Sequence, residues 1–354
     1  MSGTSPVPPR HRLEAPTRPD VVALGGGHGL AASLSALRRV TDRLTAIVTG
    51  ADDGGSSGRL RRELGVLPPG DLRMALAALC GDDDWGQTWS RVVQHRFRSE
   101  GDLHDHAVGN LLIVALWELL GDSVEGLDWV GRLLGAQGRV LPMSVLPLDI
   151  EAIVEAPAFG DARAGASSYD GTVTHETSYD DASLGPRMRR VRGQVEVATA
   201  AGRVLSVTLL PPDPPACPEA VGAVHDADWV VLGPGSWFTS VIPHLLVPEL
   251  AAALKETSAR RLLALNLEPQ PGETSGFAPE TYLEVLGAHA PGLRLDVVLA
   301  DPKTVPDQVA LGRVASGLGA DVVLAPLGRS DGTPRHDTEL LASAYRDILS
   351  SGRI

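Results

Sequence analysis

Two glycine-rich turns, each placed directly after a short apolar run, constrain this chain more than any other feature. The first run, Val21-Val22-Ala23-Leu24, enters Gly25-Gly26-Gly27-His28-Gly29; the second, Trp229-Val230-Val231-Leu232, enters Gly233-Pro234-Gly235-Ser236. Short continuous apolar runs are what strands buried on both faces require. Glycine lets the backbone approach a ligand closely, and a helix start presents unpaired N–H groups to negative charge. Two such cradles predict a ligand with more than one phosphate, held in a crevice of an α/β sheet. Ser236 is placed to cap the second helix, and Thr239 adds a hydroxyl one turn later.

The surrounding pattern supports that fold. Leu30, Leu34, Leu37 and Val40 recur at helical spacing, and a second apolar run follows at 44–49. That is a βαβ unit, which implies parallel strands and a right-handed crossover. Helices are expected over 71–80, 85–97, 107–120 and 127–134, then short proline-punctuated strands over 139–210, with the polar stretch 169–187 as loop. After Pro211-Pro212-Asp213-Pro214-Pro215 the alternation returns, with strands at 228–232, 261–265, 295–300 and 321–325. Helices are expected at 243–256, 279–288, 308–317 and 338–349. The fold class is therefore α/β: a doubly wound, mostly parallel, Rossmann-like sheet with a helical and strand-rich insertion. It forms a single domain over 19–350, with a helical cap at about 71–135 and a strand-rich insertion at about 139–210. Residues 1–18, rich in Pro, Ser and Arg, read as a disordered tail without a secretory leader.

Charge narrows the partners. With 31 basic and 44 acidic residues, the net charge of −13 argues against general DNA or RNA binding, which needs a concentrated positive face. An anionic ligand must then be held locally, by backbone dipoles and a few arginines. Two cysteines, Cys80 and Cys217, show neither a disulfide framework nor metal-type spacing, which fits a reducing cytoplasm. No run of about 18 apolar residues is present, so no membrane span is expected.

The loop Thr49-Gly50-Ala51-Asp52-Asp53-Gly54-Gly55-Ser56-Ser57-Gly58-Arg59 sits at the carboxyl end of the second strand, where open α/β sheets bind ligands. Asp52 and Asp53 can accept hydrogen bonds from sugar hydroxyls or hold Mg²⁺ through water. Gly54, Gly55, Ser56 and Ser57 can wrap phosphate, and Arg59 is the nearest cation. Asp71, after Pro68-Pro69-Gly70, is either an N-cap or a group facing the crevice. Asn110, an amide inside an apolar helix, needs a partner, and Asn266 ends a strand at the same edge. The segment 270–276 is a polar loop placed to act as a lid. His104-Asp105-His106 lacks a third ligand and is not read as a metal site. The dinucleotide fingerprint needs glycine at its sixth position, where Leu30 stands, and no nucleophile–base triad, reactive thiolate or P-loop lysine is evident.

The runs LGGGHGL at 24–30, ADDGGSSGRLRRELGVLPPGDLR at 51–73, HAVGNLL at 106–112, LGPGSWFTSVIPHLL at 232–246 and QPGET at 270–274 resemble the YvcK-like gluconeogenesis factors, most closely their actinobacterial members. These belong to the superfamily of the 2-phospho-lactate transferase CofD, and the resemblance spans roughly 20–350. It implies a cytoplasmic, non-catalytic regulator that binds a UDP-sugar, with UDP-N-acetylglucosamine the leading ligand. Such a protein links gluconeogenic carbon metabolism to cell shape and peptidoglycan synthesis, requires no cofactor, and leaves room for a homo-oligomer and a downstream protein partner. The implied site uses the turn Gly25 to Gly29, the loop Asp52 to Ser57, Asn110, and Gly233 to Ser236. The alternative within the superfamily is a transferase that moves a phospholactyl-type group from a nucleotide diphosphate to a deazaflavin, with Mg²⁺ on Asp52 or Asp53. The chain departs from the family pattern at Gly50, where Val or a similar residue is expected, and at Asp105, where Gly is expected.

Overall fold

Alternate residues of the central strands feed two separate cores. Val22, Leu24, Val230, Leu232 and Leu263 enter one, whereas Val21, Ala23, Trp229, Val231 and Leu262 enter the other. A sheet that is apolar on both faces must be covered on both faces, and this requirement sets the architecture.

The computed structural model describes residues 18–155, 178–179 and 188–351. The expected tail 1–18, apart from its last residue, and most of the polar stretch 169–187 lie outside the described residues. In chain order the strands are β1 (Val21–Gly25), β2 (Leu44–Val48), β3 (Arg139–Pro142), β4 (Asp149–Glu155), β5 (Ser178–Tyr179), β6 (Met188–Arg192), β7 (Arg203–Leu210), β8 (Trp229–Leu232), β9 (Arg260–Ala264), β10 (Val297–Ala300) and β11 (Asp321–Leu324). The helices are α1 (Gly27–Leu37), α2 (Gly55–Leu64), α3 (Pro69–Ala78), α4 (Asp84–Gln94), α5 (Val108–Leu120), α6 (Ser123–Leu134), α7 (Gln194–Ala198), α8 (Pro218–Asp226), α9 (Pro248–Glu256), α10 (Pro279–His289), α11 (Gln308–Gly317) and α12 (Thr338–Ser350).

Seven strands form one parallel sheet in the order β11-β10-β9-β8-β1-β2-β3. Four form a smaller antiparallel sheet, β5-β6-β4-β7. The fold is thus the expected mostly parallel α/β sheet with an antiparallel insertion. β3 completes the large sheet as its edge strand beside β2, and the antiparallel strands begin only at β4.

Local chemistry explains where elements differ from expectation. The glycine loop after β2 becomes helical at Gly55, so α2 lies where a loop is expected. It ends at Gly65, whose φ of 68° is the left-handed conformation a C-terminal cap needs. α3 opens at Pro69 with Pro68 as its cap, so Asp71 sits in the first turn and is not the N-cap. The helix expected over 243–256 is split into a short 3₁₀ helix at Ile242–Leu246 and α9, and the stretch Trp237–Leu246 meets α9 at 81°. Pro248 holds Val247 in extended backbone (φ −87°, ψ 111°) and breaks the helix there. Among the described residues no single helix is long and apolar enough to cross a membrane.

Candidate functional site

The two glycine turns leave the large sheet side by side. β1 and β8 are parallel neighbours, in register from Val21 opposite Trp229 to Leu24 opposite Leu232. From β1 the chain crosses to β2 on one side; from β8 it crosses to β9 on the other. That reversal is the topological switch point, and the crevice at its carboxyl edge is where open α/β sheets take ligands.

The turns also pack against one another. A Cβ on Gly29 would lie 2.3 Å from the Pro234 carbonyl oxygen and 2.5 Å from Gly235 Cα. Gly29 is therefore demanded by backbone contact between the two turns, whatever ligand they bind. A Cβ on Gly26 would meet Asp71 Oδ2 at 2.6 Å and Ser240 Oγ at 3.1 Å. α1 has no side-chain cap from its flanking residue and no acid in its own first turn, but the Asp71 carboxyl lies at its positive end, where the Gly27 N–H bonds it.

Over the turns lies a cavity of about 870 Å³, within the range of small-molecule sites. Of the expected residues, Gly26, Gly27, His28, Gly29, Pro234, Gly235, Ser236 and Asn266 line it. Gly25 and Gly233, the strand exits, and Thr239 lie behind that lining; the Gly233 N–H donates to the Leu24 carbonyl at 3.1 Å. Asn266 braces the second turn: its Oδ1 accepts from Gly235 N at 2.9 Å and its Nδ2 donates to Gly235 O at 2.8 Å.

Glu273 braces the same turn from below. Its Oε1 accepts from Ser236 Oγ at 2.7 Å and Thr239 Oγ1 at 2.6 Å, and its Oε2 accepts from Phe238 N at 3.0 Å. Ser236 thus gives its hydroxyl to Glu273 and caps no helix. Glu273 and Thr274 are almost fully buried, at 1% and 0% exposure, and Tyr282 OH donates to Thr274 Oγ1 at 3.0 Å. The loop expected as a lid is anchored instead, and its acid side chain is the signal that marks it.

Beside the cavity lies a second polar cluster, built from the loop after β2 and from α2, α3 and α5. Asn110 Oδ1 accepts from Arg73 Nε at 2.9 Å, and Asn110 Nδ2 donates to Ser56 Oγ at 3.1 Å. Ser56 Oγ also meets His106 Nδ1 at 3.1 Å. Ser57 Oγ accepts from Gly70 N, and Asp52 Oδ1 accepts from Gly54 N, each at 3.0 Å. Asp53 Oδ1 accepts from Val195 N at 3.1 Å, and Arg59 donates to the His104 carbonyl at 2.6 Å. Gly55, the first residue of α2, takes φ +45°. None of Asp52 to Ser57, Arg59, Asp71 or Asn110 lines the cavity; Asp71 alone reaches its wall, behind Gly26.

Burial pushes the Asp71 carboxyl up to about 7, and the neighbouring Asp52 charge adds to this. The Gly27 N–H and Arg73 oppose it. Burial likewise raises Asp52, against hydrogen bonds from Gly54 and Ser57. Burial lowers His106, with Arg59 nearby contributing in the same direction.

Polar lining residues outside the sequence motifs include Gln194 from α7 and Arg329, Arg335 and His336 from the connection between β11 and α12; Gln270, the first residue of the QPGET run, lines the cavity with them. That connection folds back on itself, with Gly328 bridged to His336 and Arg329 N donating to Arg335 O at 3.0 Å. Asp301 Oδ2 holds its base, accepting from Leu327 N at 2.7 Å and Gly328 N at 3.0 Å. Among the described residues, three polar atoms of lining side chains, Gln194 Oε1, Gln270 Oε1 and His336 Nε2, are buried without a partner, as is Asp71 Oδ2 behind them. Buried polar atoms are nearly always paired, so a cluster of orphans around one cavity points to a polar ligand.

A family model described as 2-phospho-L-lactate transferase CofD matches residues 21–319. The chain belongs to the CofD family. It is 52% identical over 334 residues to the "Putative gluconeogenesis factor" of Mycobacterium tuberculosis, covering 93% of this chain and 90% of that one. It is 33% identical over 351 residues to the "Gluconeogenesis factor" of Listeria monocytogenes, covering 95% and 98%. Among solved structures it is similar to a UPF0052-family protein from Bacillus halodurans, with a TM-score of 0.75 and 30% identity over 93% of this chain and 99% of that one. Within the CofD family, the chain therefore stands with the gluconeogenesis factors.

Proposed function

We propose that this protein is a cytoplasmic regulator that binds a nucleotide sugar, with UDP-N-acetylglucosamine the leading ligand. In this reading it connects gluconeogenic carbon metabolism to cell shape and peptidoglycan synthesis through a downstream protein partner. The observation that carries the binding reading is the two-sided character of the cavity. Arg329 and Arg335 offer positive charge, whereas Gln194 and Gln270 offer neutral amides. A diphosphate suits the first set and a hydroxylated ring the second. Binding without turnover is favoured because the polar side chains of the second turn are committed to holding it, through Glu273 and Asn266. The gluconeogenesis-factor names of the relatives support a regulatory role.

Calorimetric titration with UDP-N-acetylglucosamine, UDP-glucose, UDP and GDP, with and without Mg²⁺, tests this reading. Micromolar, Mg²⁺-independent binding of a UDP-sugar recovered intact is the expected result. Arg335→Ala should weaken that binding by about tenfold to a hundredfold, since a charge-assisted hydrogen bond contributes about 1.5–3 kcal/mol. Wild-type affinity in this variant would remove the hairpin from the site.

The transferase reading has one observation of its own. Asp71 Oδ2 is buried without a partner, close to Asp52, and two converging carboxylates fit a divalent cation. Asp52 and Asp71 would hold Mg²⁺, with Asp53 drawn off toward Val195. Bound there, the ion would neutralise charge developing on a diphosphate. Arg73, buried beside both carboxylates, already supplies one positive charge there, which weighs against a divalent cation. Preferential, Mg²⁺-dependent binding of GDP would put the transferase first.

A further inference from the structure

We infer that Gln194, delivered to the cavity by the antiparallel insertion, is the residue that reads the sugar of the bound nucleotide sugar, and that Asp53 is the positioning residue that sets it there. The inference rests on the nucleotide-sugar reading above and adds which part of the ligand meets which wall.

α7 is a five-residue helix that could not hold a fixed position by itself. It is clamped from two directions. On one side Asp53 Oδ1 accepts from Val195 N at 3.1 Å, and the backbone is pressed so close that a Cβ on Gly193 would lie 2.4 Å from Asp53 Oδ2. A Cβ on Gly54 would touch Val195 Cγ2 at 3.0 Å. On the other side the anchored loop closes in: a Cβ on Gly272 would lie 2.2 Å from the Ala198 carbonyl oxygen. Gly193 and Gly272 take φ of +106° and +88°, conformations that favour glycine, so both approaches are built into the backbone. The clamp leaves one polar side chain of α7, Gln194, in the cavity wall, with its Oε1 buried and without a partner among the described residues.

The chemistry of the walls assigns the ligand's parts. Phosphates go to the glycine turns and the arginines, where the positive charge is. A flat base fits the apolar end between α1 and α3, lined by Ala31, Ala32, Met74, Ala77 and Ala78. What remains for Gln194 is a group that is neutral and carries both donors and acceptors, the description of a sugar with hydroxyl or acetamido substituents. A site built to hydrogen-bond such a group rejects a ligand that lacks it, because the wall amide is then left unpaired.

The experiment is a selectivity measurement: calorimetric affinities of the wild-type protein, Gln194→Ala, Gln194→Asn, Asp53→Ala and the double variant Asp53→Ala/Gln194→Ala for UDP-N-acetylglucosamine and for UDP. Wild-type protein is expected to prefer the sugar nucleotide. Gln194→Ala should lose about tenfold for it, the size of one neutral hydrogen bond, with UDP affinity unchanged. Asp53→Ala should narrow the same ratio, and the double variant should be no worse than Gln194→Ala, because both changes act through one contact. Gln194→Asn, which keeps the amide on a shorter arm, should recover part of the preference. Unchanged UDP affinity in each variant also certifies that the site is folded. Equal losses for UDP and the sugar nucleotide in Gln194→Ala would place the amide on the base or phosphates and overturn the inference. An unchanged ratio would overturn it as well. Loss of UDP affinity in Asp53→Ala would put that carboxylate on the nucleotide and end its positioning role. Failure of the wild type to bind either ligand would instead overturn the nucleotide-sugar reading, and the assignment of Gln194 with it.

Discussion

Gly29→Ala is expected to destabilise the protein by about 2–3 kcal/mol and to abolish ligand binding, although it adds a single methyl group. The methyl would arrive 2.3 Å from the Pro234 carbonyl oxygen and 2.5 Å from Gly235 Cα. Those are backbone atoms, so no rotamer change can relieve the clash. Relief requires separating two turns that are fixed to adjacent strands by the β1–β8 register. Inserting a methylene into a close-packed interior costs about 1–3 kcal/mol, and a rigid backbone neighbour places this site at the upper end. Helix propensity opposes the loss, since alanine is favoured over glycine inside a helix by about 1 kcal/mol, so the net figure already includes that gain. Gly222 isolates the propensity effect. It lies in α8, is exposed, and a Cβ there meets nothing within 4 Å. Gly222→Ala should therefore raise stability by about 0.5–1 kcal/mol. Urea unfolding of both variants beside the wild type decides the matter. Equal midpoints for Gly29→Ala and wild type would mean that the turns are not packed as described.

This contrast shows how much of the molecule was legible from residues alone. Six of the seven strands of the large sheet were, because a strand buried on both faces must be apolar throughout, and 21–24 or 229–232 have few other ways to bury themselves; β3, at the edge, was read as part of the insertion. The position of the crevice was legible for the same reason, since glycine turns at two strand ends mark one sheet edge. The reasons for the individual glycines were not. Gly29 answers to Pro234 more than 200 positions later, a contact that becomes visible only once β1 and β8 are neighbours. α2 was hidden because Gly54 and Gly55 disguise its start. The cavity wall was the least legible part. Gln194, Arg329, Arg335 and His336 are single residues without a motif, brought to the site by a short helix and a folded-back connection that Asp53 and Asp301 hold. A lone arginine on an exposed segment carries no local signal, because the geometry that gives it meaning comes from another strand.

The second large effect is a pH-dependent gain in stability that one substitution should produce. Burial raises Asp71 from 3.8 to about 7, with the Asp52 charge adding to it. Between those values the folded chain holds a proton there that the unfolded chain has released. Stability from this group is therefore fully present below 3.8 and is lost as pH rises through about 7. His244 behaves oppositely. It is fully buried, its Nε2 lies 3.1 Å from the Ile47 carbonyl oxygen, and burial lowers it from 6.5 to about 4. Its contribution is fully present above 6.5 and is lost as pH falls through about 4. In the wild type the two slopes oppose each other over the window they share. Asp71→Asn keeps the shape and removes one of them. Relative to wild type, the variant should gain nothing below pH 4 and progressively more as pH rises to 8, with a ceiling of about 4 kcal/mol. Urea midpoints at pH 4, 5, 6, 7 and 8 for both proteins provide the comparison. A stability difference that is the same at every pH would mean that Asp71 ionises in the folded chain much as it does in the unfolded one. In that case its burial behind Gly26 would be relieved by solvent or by Arg73, and Asp71 could not be the uncompensated carboxyl at the wall of the cavity.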